Sequence, residues 1–199
     1  MNLELLQLLL NIILVITAAY IICIAAFTLG LYNLKERFDD FDTSLIIRVS
    51  VIIAARNEEL NIKELLQSLY NQTFPKKLYE VIIIDDHSED NTRNIIKEFI
   101  KSHSDINVKL LESDGTGKKA AISQGLHNAD NEYIIVTDAD CVLHTKWIES
   151  IVDFYQKTNA KMILAPVLLS PANNMFEKIQ VLEHLSLIAS TAGSAAIGF

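Results

Sequence analysis

Two short acidic runs stand where a folded chain could use them. Asp85-Asp86 closes the apolar stretch Val81-Ile-Ile-Ile84, and Asp138-Ala139-Asp140 closes Ile134-Ile-Val-Thr137. A run of β-branched residues this short reads as a buried strand. In open parallel sheets, ligands bind beyond the carboxyl ends of the strands. Carboxylates gathered there repel one another unless a cation or hydrogen-bond donors compensate. Residues two apart in an extended segment face the same way, so Asp138 and Asp140 are expected to aim at one point. Hard divalent cations take such oxygen ligands, and Mg²⁺ commonly combines one or two carboxylates with substrate phosphates. Gly115-Thr-Gly-Lys118 invites a phosphate reading, but it is not a P-loop: Glu112 stands where the first glycine belongs and Lys119 where Ser or Thr should follow. At a strand edge Lys118 can still meet a diphosphate as a point charge. No Gly-x-Gly-x-x-Gly follows the first strand, which disfavours a dinucleotide fold.

The elements that must position these residues alternate. Residues 49–55 and 80–86 read as buried strands, 108–111 as a third, 132–138 as a fourth and 161–165 as a fifth. Between them lie helical patterns. One carries Leu65, Leu66 and Leu69 behind a capping box of Asn61 and Glu64. A second, with Ile95, Ile96, Phe99 and Ile100, is capped by Asp90 or Thr92. Residues 118–127 and 147–155 supply two more. Repeated β-α-β units predict an α/β domain over 48–167, a mostly parallel sheet with helices on both faces.

Outside that domain the chain changes character. No charge occurs between residues 5 and 34, long enough for a transmembrane helix and too long for a signal peptide. Lys35 and Arg37 follow it and no Lys or Arg precedes it, so a single-pass anchor with the α/β domain on the cytoplasmic side is expected. Residues 171–199 read as an amphipathic and then apolar segment. It either faces the membrane or packs on the main domain, and the chain is expected to stop mid-fold. Twenty-five acidic against 17 basic residues give a net charge of −8, which argues against a nucleic-acid binder. Two cysteines, Cys23 in the apolar segment and Cys141 in the polar one, exclude a disulfide scaffold.

In order along the chain, Val49-Ser-Val-Ile-Ile-Ala-Ala-Arg-Asn-Glu58, Val81-Ile-Ile-Ile-Asp-Asp-His-Ser88 with Asp90 and Thr92, Gly117-Lys118 with Ala121, and Thr137-Asp-Ala-Asp-Cys141 resemble the signature of family 2 glycosyltransferases. The resemblance implies a GT-A type fold, a Rossmann-like and mostly parallel sheet flanked by helices and here preceded by one transmembrane helix. It implies a nucleotide-sugar donor, usually a UDP-sugar, with Mg²⁺ or Mn²⁺, and a polysaccharide, lipid or other acceptor. By the same resemblance Ala54 lines the nucleotide pocket, Glu58 is an acidic pocket position, Asp86 contacts the base and Lys118 lies near the nucleotide. Asp138 and Asp140 form the Asp-x-Asp pair, with Asp140 the firmest metal ligand. The family's usual general base, in a Glu-Asp or similar motif, and its Gln-x-x-Arg-Trp motif have no counterpart: Glu183-His184 and Lys146-Trp147 do not match them. The general base is therefore expected outside this chain, which reads as C-terminally truncated, with activity on its own left open.

Two alternatives stand beside that reading. One is a non-catalytic nucleotide-binding remnant. The other is a phosphatase of the haloacid dehalogenase type, whose Asp-x-Asp also follows a hydrophobic strand but near the start of its domain. Bland roles are preferred for His87 (a loop residue), His144 (a helix start), Trp147 (core) and Cys141 (a small filler). For Arg56, a phosphate contact and a surface salt bridge are equally open.

Overall fold

The computed structural model describes residues 3–34, 46–169 and 174–198, in two compact units. Lys35, Arg37 and Pro171, on which sequence expectations rested, lie outside the described residues.

The α/β unit, Phe41–Asn159, carries the expected alternation. It contains β1 (Val49–Ala55), α2 (Ile62–Tyr70), β2 (Tyr79–Asp85), α3 (Thr92–Ser102), β3 (Asn107–Glu112), α4 (Lys118–His127), β4 (Tyr133–Asp138) and α5 (Trp147–Thr158); α1 (Leu3–Leu34) belongs to the other unit. All pairings are parallel and the strand order is β3-β2-β1-β4. The two central strands, β1 and β2, are apolar because both their faces are covered. Alternation along them separates two cores. Val51, Ile53, Val81 and Ile83 pack with Leu65, Leu66 and Leu69 of α2, Ile96 of α3, and Ile148 and Val152 of α5. Ile52, Ile82 and Ile84 pack with Ala121 of α4 on the opposite face.

On that second face the fit is close at Gly125. A Cβ there would stand 2.5 Å from Ile52 Cγ2 and 2.7 Å from Ile84 Cδ1. Gly125→Ala should therefore destabilise the unit by about 1–3 kcal/mol through overpacking, despite alanine's better helix propensity. Chemical denaturation would measure it, and a variant as stable as wild type would mean that α4 shifts freely on the sheet.

Three expectations change. The apolar run at 161–165 forms no strand; it is irregular, with Met162 and Leu164 exposed. Asn61 occupies the position before α2, but its backbone is helical and its side chain makes no cap bond. It donates instead to the Glu58 carboxylate at 2.8 Å, so the capping box with Glu64 is absent. Neither Asp90 nor Thr92 is the N-cap of α3: Asn91 holds that position with no side-chain cap bond, Thr92 is the first helical residue, and Asp90 accepts the Thr92 N–H at 3.0 Å.

The other unit comprises Met1–Asp40 and Ala160–Phe199. In it, α1 (Leu3–Leu34) is one helix long and apolar enough to cross a membrane over Glu4–Tyr32. The helix α6 (Met175–Ala196) begins with a capping box: Asn174 accepts the Glu177 N–H at 2.9 Å and the Glu177 carboxylate accepts the Asn174 N–H at 3.3 Å. Gly30 of α1 and Gly193 of α6 meet where the two helices pack. The expected division of α6 into an apolar and a polar face is not observed, because Glu183 stands among exposed Phe176, Ile179 and Leu182.

Candidate functional site

Parallel pairing in register brings the carboxyl ends of β1, β2 and β4 to one edge of the α/β unit. Ala54 pairs with Ile84 on one side and Asp138 on the other. Alternation then divides the first acidic pair. Asp85 is buried among the α2 and α3 contacts, its carboxylate 3.4 Å from the Ser88 N–H and 4.0 Å from Arg93 Nε. Asp86 points the other way and is only 4% exposed.

The Asp86 carboxylate is a hub. Both oxygens accept the Gly117 N–H, at 3.1 and 3.0 Å. His87 Nδ1 lies 3.3 Å from one oxygen and Arg56 Nη1 3.8 Å from the other. Gly117 reaches it in a backbone with φ +92°, which side-chain-bearing residues rarely adopt. Burial alone would raise the Asp86 pKa; the Gly117 amide, then His87 and Arg56, hold it below the ordinary carboxylate value. Asp90 is lowered too: desolvation works against this, and bonds from the Thr92 hydroxyl and N–H and from the Glu59 N–H outweigh it.

An aspartate held below its unfolded value contributes stability that is complete above about pH 4 and is lost as pH falls through the folded value. Stability should therefore drop on the acid side of pH 4. Asp90→Asn should flatten that drop, as read from denaturation midpoints against pH; an unchanged slope would count against the lowered value.

The next residue after Gly117 links the two acidic runs. Lys118 opens α4, and its Nζ lies 2.6 Å from Asp138 Oδ1. Both side chains are more than half exposed, so the pair is open to exchange with a ligand. The second acidic run is a turn rather than an extended segment: β4 ends at Asp138 and the Cys141 N–H returns to the Asp138 carbonyl at 3.4 Å. Ala139 is buried between two exposed aspartates. Among the described residues, no three His, Cys, Asp or Glu side chains converge tightly enough to hold a metal ion by themselves. Two exposed carboxylates one residue apart nevertheless suit Mg²⁺ or Mn²⁺, which complete their shells with water and phosphate oxygen.

The remaining candidates take these places. Ala54 is half-buried at the end of β1, on the α4 face. Glu58 spends its carboxylate on Asn61 and its N–H on Thr92 Oγ1 at 2.7 Å. His144 accepts the Lys146 N–H at 3.2 Å, and Trp147 packs against the larger core at the start of α5. Sequence reasoning assigned no role to Gly117 as a donor to Asp86, nor to Asn57, Ser88 and Glu59. Asn57 had one available signal, since asparagine tolerates left-handed backbone and here has φ +55°.

A family model described as glycosyl transferase family 2 matches residues 50–188. Glycosyltransferase AglE of Haloferax volcanii is 32% identical over 121 residues, covering 61% of this chain and 40% of that protein. Poly-beta-1,6-N-acetyl-D-glucosamine synthase of Staphylococcus epidermidis is 30% identical over 175 residues, covering 83% of this chain and 41% of its own length. The chain thus spans about two fifths of these relatives. Among solved structures, a mannosyltransferase from Pyrobaculum calidifontis, in complex with GDP-Man and Mn²⁺, superposes with a TM-score of 0.64 at 24% identity. That match covers 82% of this chain and 48% of the other and is a likeness of fold.

Proposed function

The chain belongs to glycosyl transferase family 2 and has the GT-A fold, and from that premise we propose that its α/β unit is the donor-binding half of a membrane-anchored glycosyltransferase. The donor is a nucleoside-diphosphate sugar, a UDP-sugar on the strength of the motif resemblance. The observation that carries this reading is the Gly117-Lys118 step. One residue donates its amide to buried Asp86 and the next places its ammonium on exposed Asp138, so a carboxylate able to accept an N–H and a cation able to meet phosphate stand close together at one sheet edge.

Each side chain then has a task. Asp86, ionised and screened from water, accepts an N–H from the base edge. Ala54 leaves room at the end of β1, and Glu58 shapes the neighbouring loop through its bonds to Asn61 and Thr92. Asp138 and Asp140 would hold Mg²⁺ or Mn²⁺, and Lys118, once released from Asp138, would meet the diphosphate. When bound, the cation supplies Lewis-acid neutralisation of charge on the leaving diphosphate. The general base and the acceptor site belong to the part of the family's length that this chain does not span. α1 is the anchor, with Lys35 and Arg37 favouring a cytoplasmic position for the α/β unit.

The test is calorimetric titration of UDP into the detergent-solubilised chain, with and without Mn²⁺, beside Asp86→Ala. Metal-dependent binding that weakens at least about tenfold in Asp86→Ala is expected, since removing one partner of a charge-assisted bond is costly. A folded wild-type chain that binds no UDP in either condition would overturn the proposal.

A further inference from the structure

The loops that follow β1 and β2 are tied together by side chains that no helix or strand requires. The Asn57 N–H donates to Ser88 Oγ at 3.0 Å, and the Asn57 side-chain oxygen accepts the Glu89 N–H at 2.8 Å. The Glu58 N–H donates to Thr92 Oγ1 at 2.7 Å. The Glu59 N–H donates to the Asp90 carboxylate at 3.0 Å, and the Glu59 carboxylate accepts the Asn91 N–H at 3.0 Å. The other Asp90 oxygen accepts both the N–H and the hydroxyl of Thr92, which is wholly buried. Five bonds therefore cross between loops some thirty residues apart in sequence.

Local bonding at the start of α3 accounts for Asp90 on Thr92, but not for Asn57 on Ser88 and Glu89, nor for Glu59 on Asn91. The clasp also holds unusual backbone. Asn57 and His87, one on each loop, are both in left-handed conformation, at φ +55° and +58°. Such residues persist only where their surroundings over-determine them, and an observed outlier of this kind points to function. Beside Asn57 lies Arg56, and beside His87 lies Asp86; the Arg56 and His87 side chains both face the Asp86 carboxylate. The clasp is thus one residue away from each group around that hub.

We propose that Asn57, Asp90 and Thr92 are positioning residues for the nucleoside end of the donor site. They lock loops 56–61 and 86–91 into one wall and so fix the mutual spacing of Arg56, Asp86 and His87. This rests on the donor reading given above. None of the three touches the nucleotide. Their work is preorganisation: a wall held in place before binding does not have to be ordered by the ligand, and a rigid wall discriminates between bases where a loose one adapts.

Thr92→Val keeps the shape of the buried side chain and removes the hydroxyl that serves both loops. Thr92→Ser restores it. Asn57→Gly keeps the left-handed backbone and deletes the clasping oxygen at an exposed position, so it carries the same comparison even where Thr92→Val fails to fold. The affinities of the full chain for UDP and for GDP are measured with Mn²⁺ by calorimetry, beside thermal unfolding. We expect Thr92→Val and Asn57→Gly to bind the preferred nucleotide about tenfold more weakly. The UDP-to-GDP preference should collapse towards one, and Thr92→Ser should recover both values. Folded variants with unchanged affinity, or with affinity lowered equally for both nucleotides, would overturn the positioning role, as would a wild type without preference. A wild type that binds neither nucleotide would instead sink the donor reading, and this proposal with it.

Discussion

Replacing Asp138 and Asp140 together by asparagine is expected to remove the metal-dependent part of nucleotide binding while leaving the fold intact. Asparagine keeps the size of each side chain and takes away its charge. Outer partners of bound metals are worth about 10–100-fold in affinity, and ligating carboxylates at least as much, so UDP binding in Mn²⁺ should fall by about a hundredfold. Binding without metal should stay level or rise slightly, because the Lys118 ammonium loses its 2.6 Å partner and is free to meet the diphosphate. Stability should barely move, since an ion pair with both side chains more than half exposed contributes at most about 1 kcal/mol. Titrations of wild type and variant, each with and without Mn²⁺, separate these effects. Metal dependence retained in the double variant would remove both aspartates from the site.

Much of this arrangement was legible because burial writes itself into residue type. The β-branched runs of β1, β2 and β4 have one place to go in a layered α/β fold, and their bounds fall within one residue of the sequence reading. The acids at their ends were legible for a related reason: in a parallel sheet the end of a strand is a location as well as a boundary. The run at 161–165 has the same texture and failed because composition marks a segment as suited to a sheet without giving it a neighbour to pair with. The capping box at Asn61 failed to competition, since Glu58 lies three residues before it and takes the side-chain amide. The clasp was out of reach for another reason. Asn57 and Glu89 are 32 residues apart, and no periodicity announces a bond between two loops. The family match over residues 50–188 removes the haloacid dehalogenase alternative.

At the opposite end of the sheet, Glu80→Ala should unfold the α/β unit more readily than any substitution at the site. Glu80 is only 2% exposed, on the α4 face of β2. Its Oε1 accepts from Ser50 Oγ on β1, from the Asp130 N–H at 2.8 Å and from Asn131 Nδ2 at 3.2 Å, just before β4. Its Oε2 forms an ion pair with Lys109 Nζ of β3 at 2.8 Å, angled outside hydrogen-bond geometry. One carboxylate thus ties β1, β2 and β3 to the turn that leads into β4. Removing it leaves Ser50, the 130–131 turn and part of the Lys109 charge without their partner. Breaking a buried charge network from one side costs about 3–5 kcal/mol; Lys109 is a third exposed and keeps Asp130 at 2.6 Å, so about 3 kcal/mol is expected. Glu80→Gln keeps an acceptor for the neutral donors and should lose about half as much. Nucleotide affinity should hold in either variant while it is folded, because the strand places Glu80 about 17 Å from the carboxyl edge at roughly 3.3 Å per residue. Denaturation midpoints beside UDP titrations decide the point. If Glu80→Ala weakens binding in proportion to stability, the two ends of the sheet are coupled and the division between a structural edge and a binding edge does not hold.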